Sequence, residues 1–201
     1  MEKEALKRIF EFLEEKGEHI MPLSVKIKLA IPIAKEDLNV KGDLNLEYAK
    51  ITSLPEGLEV SKDLVLSFSR IEFLPERFKV GGNLRLAYSK ITSLPKGLKV
   101  NGDLHLNYSD INSLPEGLVV RGYLDLYSCR YLYSLPEGLK VGGDLYLKDS
   151  KIYSLPKGLK VGGKLYIENT LLRKYTDDQL REMVKPGFIK GKIYREWTKK
   201  P

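Results

Sequence analysis

One pentad is spoken again and again along this chain. Leu-Pro recurs at Leu54, Leu74, Leu94, Leu114, Leu135 and Leu155, at steps of 20, 20, 20, 21 and 20 residues. Leu-x-Leu keeps the same beat at Leu44, Leu64, Leu84, Leu104, Leu124 and Leu145, and closes as Leu165-x-Ile167. A fixed period of this length marks a stack of similar coils, in which each coil buries its apolar residues against its neighbours. Seven copies follow the pattern V-x-G-x-L-x-L-x-Y-S-x-I-x-S-L-P-x-G-L-x, with one extra residue between Leu126 and Leu135.

Each copy has two halves. Leu98, Val100, Gly102, Leu104 and Leu106 alternate strictly, the period of an extended strand with one buried face. Ser109, Ile111 and Leu114 then break the alternation. Pro115 restricts φ and removes a donor, and Gly117 permits an unusual dihedral, so Pro-x-Gly closes the coil.

Leu104, Leu106, Ile111, Leu114 and Pro115 match the pattern L-x-L-x-x-N-x-L-x-x-L-P. In this the chain resembles the short, 20-residue bacterial leucine-rich repeat of secreted effector proteins, over about residues 40–170. The resemblance implies a repeat solenoid of about seven coils with a parallel β-sheet, and says little about activity. Two features depart from it. The family's Asn is replaced by Ala49, Ser69, Ser89, Ser109, Ser150 and Thr170, where a hydroxyl offers fewer hydrogen bonds. The usual Leu ahead of the first strand Leu is missing, and Val40, Val60, Val80, Val100, Val120, Val141 and Val161 stand one place earlier. A squarer β-solenoid, with 20-residue coils and two short strands per turn, is the alternative.

The flanks divide the chain into an N-terminal cap (1–39), the solenoid (40–170) and a basic C-terminal cap (171–201). Leu6, Ile9, Phe10 and Leu13 predict an amphipathic helix over 2–16, ended by Gly17. LSVKIKLAI alternates and is read as a strand. Thr176 with its acidic followers predicts a short helix, and GFIKGKIYREW predicts a small hairpin or strand pair. Capping would bury Phe10, Phe12, Phe188, Ile193 and Trp197 against the outermost coils.

A hydrophobic content of 42% and a charged content of 30% are those of a folded soluble chain. No apolar run is long enough to span a bilayer, and Met-Glu-Lys-Glu-Ala does not open a signal peptide. A cytoplasmic protein without a membrane partner is expected, with signal-independent export left open. The single cysteine, Cys129, rules out an internal disulfide and a Cys-based zinc site, and is read as structural. The formal charge of +7 is concentrated in residues 171–201, which carry nine basic and four acidic side chains.

Residues that differ between coils carry whatever specificity the array has. Three outward columns flank the strand leucines. The first is Asp43, Asp63, Asn83, Asp103, Tyr123, Asp144 and Lys164. The second is Asn45, Val65, Arg85, His105, Asp125, Tyr146 and Tyr166. The third is Glu47, Ser67, Ala87, Asn107, Tyr127, Lys148 and Glu168. Equivalent residues should recur at about 4.8 Å. Tyrosines gather late in the array, which places a partner-binding patch at Tyr123, Asp125, Tyr127, Tyr146, Lys148 and Tyr166, with Arg85 and His105 at its margin. Tyr48, Phe68, Tyr88 and Tyr108 are read as a ring ladder pointing into the core, and stacked Asp43 and Asp63 as a solvated column.

The function expected from these features is a non-enzymatic module that binds another protein on the sheet face, in a bacterium or a phage, for instance by blocking a host protein. The alternative is a nucleic-acid or nucleotide binder using Arg173, Lys174, Arg181, Lys185, Lys190, Lys192, Arg195, Lys199 and Lys200. No nucleophile–base pair, metal-ligand spacing or cofactor motif stands apart from the repeat rhythm, so no catalytic residue, cofactor or metal is assigned.

Overall fold

The computed structural model describes residues 21–196 without a break, together with Glu4, Lys7, Arg8, Glu11, Phe12 and Glu15, which are helical. The expected helix face of Leu6, Ile9, Phe10 and Leu13, and Trp197 at the other end, lie outside the described residues.

The chain is a parallel β-solenoid with two short strands per coil, the squarer of the two geometries. Strands of two residues form two parallel eight-stranded sheets. The first runs from Asn39–Val40 through Lys99–Val100 and Lys160–Val161 to Phe188–Ile189. The second runs from Leu44–Asn45 through Leu104–His105 and Leu165–Tyr166 to Ile193–Tyr194. The leucine-proline segment is the remaining side of each coil. In every repeat the alternating Val and Leu residues point inward, and Leu104, Leu106, Ile111 and Leu118 are fully buried. Coil-to-coil bonds such as Leu104 N–H to Tyr123 O (3.0 Å) and Leu106 N–H to Asp125 O (2.9 Å) satisfy the backbone that the short strands would otherwise strand.

Left-handed backbone sits at two corners of most coils. Gly57, Gly97, Gly117, Gly138 and Gly158 serve the Pro-x-Gly corner. Tyr48, Phe68, Tyr88, Tyr108, Ser128, Asp149 and Asn169 hold φ between 54° and 59° at the other. This overturns the inward reading of the ring ladder. The left-handed turn interrupts the alternation, so Tyr48, Phe68 and Tyr88 face solvent and the next residue, Ala49, Ser69 or Ser89, takes the buried place. Those buried hydroxyls bond within their own coil: Ser69, Ser89, Ser109 and Thr170 each donate to the carbonyl three residues back, at 2.6–2.7 Å.

The link between coils is instead made by the first outward column. Asp43 accepts the N–H of Asp63, Asp63 that of Asn83, Asn83 that of Asp103, Asp103 that of Tyr123, and Asp144 that of Lys164, at 2.7–3.0 Å. The column is therefore a hydrogen-bonded ladder whose first carboxylate, Asp43, is also exposed to solvent. The extra residue of the fifth repeat is absorbed in a turn at Arg130–Tyr131, and the register of Leu124 with Leu145 is kept.

The ends differ from expectation in two places. LSVKIKLAI is a helix over Leu23–Leu29, closed by left-handed Ala30. Its alternation is incidental. Pro22 sits just ahead of the first turn, a place where its missing N–H costs nothing, and Leu23, Lys26 and Ile27 form the face packed on the first coil. Buried Lys26 is held by Asp37 at 3.1 Å. At the other end Thr176 and Gln179 form a reciprocal capping box on the helix Asp177–Met183. GFIKGKIY is then not a hairpin. Phe188–Ile189 joins the first sheet and Ile193–Tyr194 the second, each parallel to the strand before it. The segment is an eighth level of the solenoid. Ile193 is buried as expected, while Phe188 and Phe12 are exposed.

Candidate functional site

The outer face of the second sheet carries the second column in register: Arg85, His105, Asp125, Tyr146, Tyr166 and Tyr194. The rings on this face touch in sequence. His105 meets Tyr123 edge-on at 4.9 Å between centroids, and the Tyr123 hydroxyl lies 2.9 Å from His105 Nε2. Tyr123 meets Tyr146 edge-on at 5.8 Å. Tyr146, Tyr166 and Tyr194 then stack at 4.5 and 4.9 Å with planes within 9°. All are half-buried, so each ring spends part of its surface on its neighbours and leaves the rest to solvent.

A second aromatic ladder runs along the left-handed corner. Tyr48, Phe68, Tyr88 and Tyr108 stack at 4.5–5.0 Å. It ends where Tyr108 meets Tyr127 edge-on at 4.9 Å. Tyr127 is two residues from Asp125, which accepts its N–H at 2.9 Å. The corner ladder thus gives way to the sheet ladder at the coil of Tyr123, Asp125 and Tyr127, and aromatic surface continues along the whole solenoid. Eight levels at about 4.8 Å give a strip on the order of 34 Å long.

The polar groups on the face are tuned by this crowding. Burial pushes the Asp125 carboxyl above its usual range, against the opposing pull of the Tyr127 N–H and His105. Burial and the Arg85 guanidinium hold His105 below its ordinary value. Burial, Tyr166 and Asp144 raise the Tyr146 phenol, so it donates: its hydroxyl reaches Asp144 Oδ2 at 3.4 Å. Arg85 approaches Asp63 at 3.8 Å, and Lys148 Nζ lies 5.4 Å from the Tyr127 ring centre. Arg85, His105, Asp125, Tyr146 and Tyr166 of the eight residues singled out from the sequence therefore share one column, Tyr123 touches His105 and Tyr146 beside it, and Tyr127 with Lys148 stands at the corner where Tyr127 meets Tyr108. Sequence reasoning missed Tyr194 and the exposed corner ladder. Tyr194 had a signal: Ile189-Lys190-Gly191-Lys192-Ile193-Tyr194 repeats Val161-Gly162-Gly163-Lys164-Leu165-Tyr166, displaced by 28 residues instead of 20.

Other candidate groups are differently placed. Cys129 is fully buried, and its thiol, pushed up to about 12 by burial, donates to Leu106 O at 3.1 Å. It occupies the place of the buried serines in other coils. Among the described residues no cluster of His, Cys, Asp and Glu could hold a metal ion, and no helix is long and apolar enough to cross a membrane. Two arginines of the basic segment are engaged internally. Arg181 donates to Ile189 O and, at 2.9 Å, to Gly191 O, while Arg195 donates to Asp177 and, at 2.9 Å, to Tyr175 O. They tie the eighth level to the helix before it. Lys199 and Lys200 lie outside the described residues.

Fold and face together define a parallel β-solenoid with an aromatic strip along one flank. No family model matches the chain, and no curated protein matches its sequence.

Proposed function

We propose that the protein is a non-enzymatic interaction module that binds another protein through the outer face of the second sheet. The observation that carries this reading is the half-exposed stack of Tyr146, Tyr166 and Tyr194, continued by Tyr123 and His105. Tyrosine supplies large contact area with few rotors and one polar handle, the chemistry enriched in protein-binding hot spots. The stack is also held in register by the second sheet, so little ordering entropy is lost on association. Asp125, Lys148 and Arg85 lie beside the rings and would supply orientation at the rim. A cytoplasmic setting is part of the proposal, as is a bacterial or phage role in blocking a host protein; a free thiol at Cys129 suits a reducing compartment.

The test compares the wild-type chain with Tyr146→Ala/Tyr166→Ala as bait in a bacterial lysate, alongside thermal melts. A partner held by the wild type and lost from the variant, with the fold retained, supports the reading. A partner held equally by both removes the strip from the interface.

A further inference from the structure

We propose that the corner between the two sheets, at the C-terminal end of the solenoid, binds a single strand of nucleic acid. Two rows of lysine flank this corner. On the first sheet, Lys160 is in register with Phe188, and Lys160 Nζ and Lys190 Nζ lie 6.0 and 5.4 Å from the Phe188 ring centre. On the second, Lys164 Nζ and Lys192 Nζ lie 5.9 and 5.1 Å from the Tyr194 ring centre. Each ring is thus clasped by two ammonium groups from successive levels.

Between the rows runs a strip of glycine: Gly162, Gly163 and Gly191. A Cβ on any of them would collide with the backbone of the preceding coil, or for Gly163 with Asp144 Oδ1 as well. No side chain therefore rises between the two rows. Among the described residues none of the four lysines forms an ion pair. Lys164 and Lys192 occupy the same place on adjacent levels, about 4.8 Å apart, where like charges repel. A bound chain of anions would relieve that repulsion.

The ring pair selects among anions. A single strand offers phosphates to the lysines and free base faces to Phe188 and Tyr194, the combination that single-strand binders use. An acidic peptide would engage the lysines and leave the rings without a role. A duplex keeps its bases stacked on one another. This surface meets the tyrosine strip at Tyr194 and does not include Tyr123 or Tyr146.

Fluorescence anisotropy of a labelled 12-nucleotide oligo(dT), with the full chain, tests the proposal. Binding should weaken with salt at a log–log slope of about −3, four phosphate contacts at about 0.7 each. Lys160→Gln/Lys190→Gln should cut the slope by about half and weaken binding at least tenfold. Phe188→Ala should weaken binding about tenfold with the slope unchanged. Tyr146→Ala should bind as the wild type does, which separates this surface from the protein-binding face. Circular dichroism melts establish that each variant is folded. No binding at 50 mM salt, poly-glutamate binding as tightly, tighter binding of a 12-base-pair duplex, an unaffected lysine variant, or loss in Tyr146→Ala would each overturn the assignment.

Discussion

Tyr166 stacks on Tyr194 at 4.9 Å with planes 9° apart, although 28 residues separate them rather than 20. The longer interval holds the helix Asp177–Met183, after which the chain returns to register as if the repeat had never stopped. The eighth level thus covers Leu165 and Ile167 while extending the aromatic face by one ring.

Tyr194→Ala should therefore loosen both functions of that level. Loss of the stacked partner is expected to cost about 1 kcal/mol beyond the area term. The melting temperature should fall by a few degrees, and near-ultraviolet circular dichroism should lose part of its tyrosine signal. An unchanged near-ultraviolet spectrum would mean that the two rings do not stack in solution.

The carboxylate ladder predicts a pH dependence. The N–H of Asn83 and then its side chain hold the Asp63 carboxyl below its usual range, with help from Arg85. A depressed folded-state value contributes stability above the unfolded-state value of about 3.9. That contribution fades as the pH falls through the lower folded-state value. Denaturant melts of wild type and Asp63→Ala should differ at pH 7 and converge below about pH 4. A gap that persists in acid would assign the effect to packing instead.

Two glycines separate space from backbone strain. A Cβ at Gly122 would collide with Asp103 Oδ1 and the Gly102 carbonyl, whereas a Cβ at Gly97 meets nothing within 4 Å but must accept φ of 72°. Gly97→Ala should cost about 1 kcal/mol, the ordinary penalty for left-handed backbone. Gly122→Ala should cost more, about 1–3 kcal/mol or above, because the ladder itself must shift. Urea denaturation of the two variants gives the order directly, and the reverse order would refute the ladder geometry.

Cys129 should be unreactive in the folded chain. Its thiol is buried, and burial pushes it up to about 12, which disfavours the thiolate at neutral pH. Labelling by a thiol-disulfide reagent should follow global unfolding and accelerate in urea. Cys129→Ser should be tolerated within about 1 kcal/mol, since Ser109 holds the equivalent place one coil earlier. Rapid labelling of the native protein would show that this coil opens on its own.

Residue order alone dictates the period, the inward set of Val, Leu and Ile, and which outward positions share a column. Period two and period twenty act through steric alternation and through coil-on-coil burial, and both are written in residue order. Those rules place Arg85, His105, Asp125, Tyr146 and Tyr166 on one face before any coordinates exist. They failed where backbone conformation overrode alternation. Nothing in Tyr48 or Tyr88 as residue types announces left-handed φ, and that one dihedral turns each ring from core to solvent. That LSVKIKLAI coils into a helix is a matter of packing: the first sheet begins at Asn39–Val40, and Leu23 and Ile27 cover the apolar end of the first coil. Tertiary structure also decided that Asp and Asn, and not the buried hydroxyls, link successive coils. A carboxylate can reach the next coil's N–H only once the coils are stacked in register.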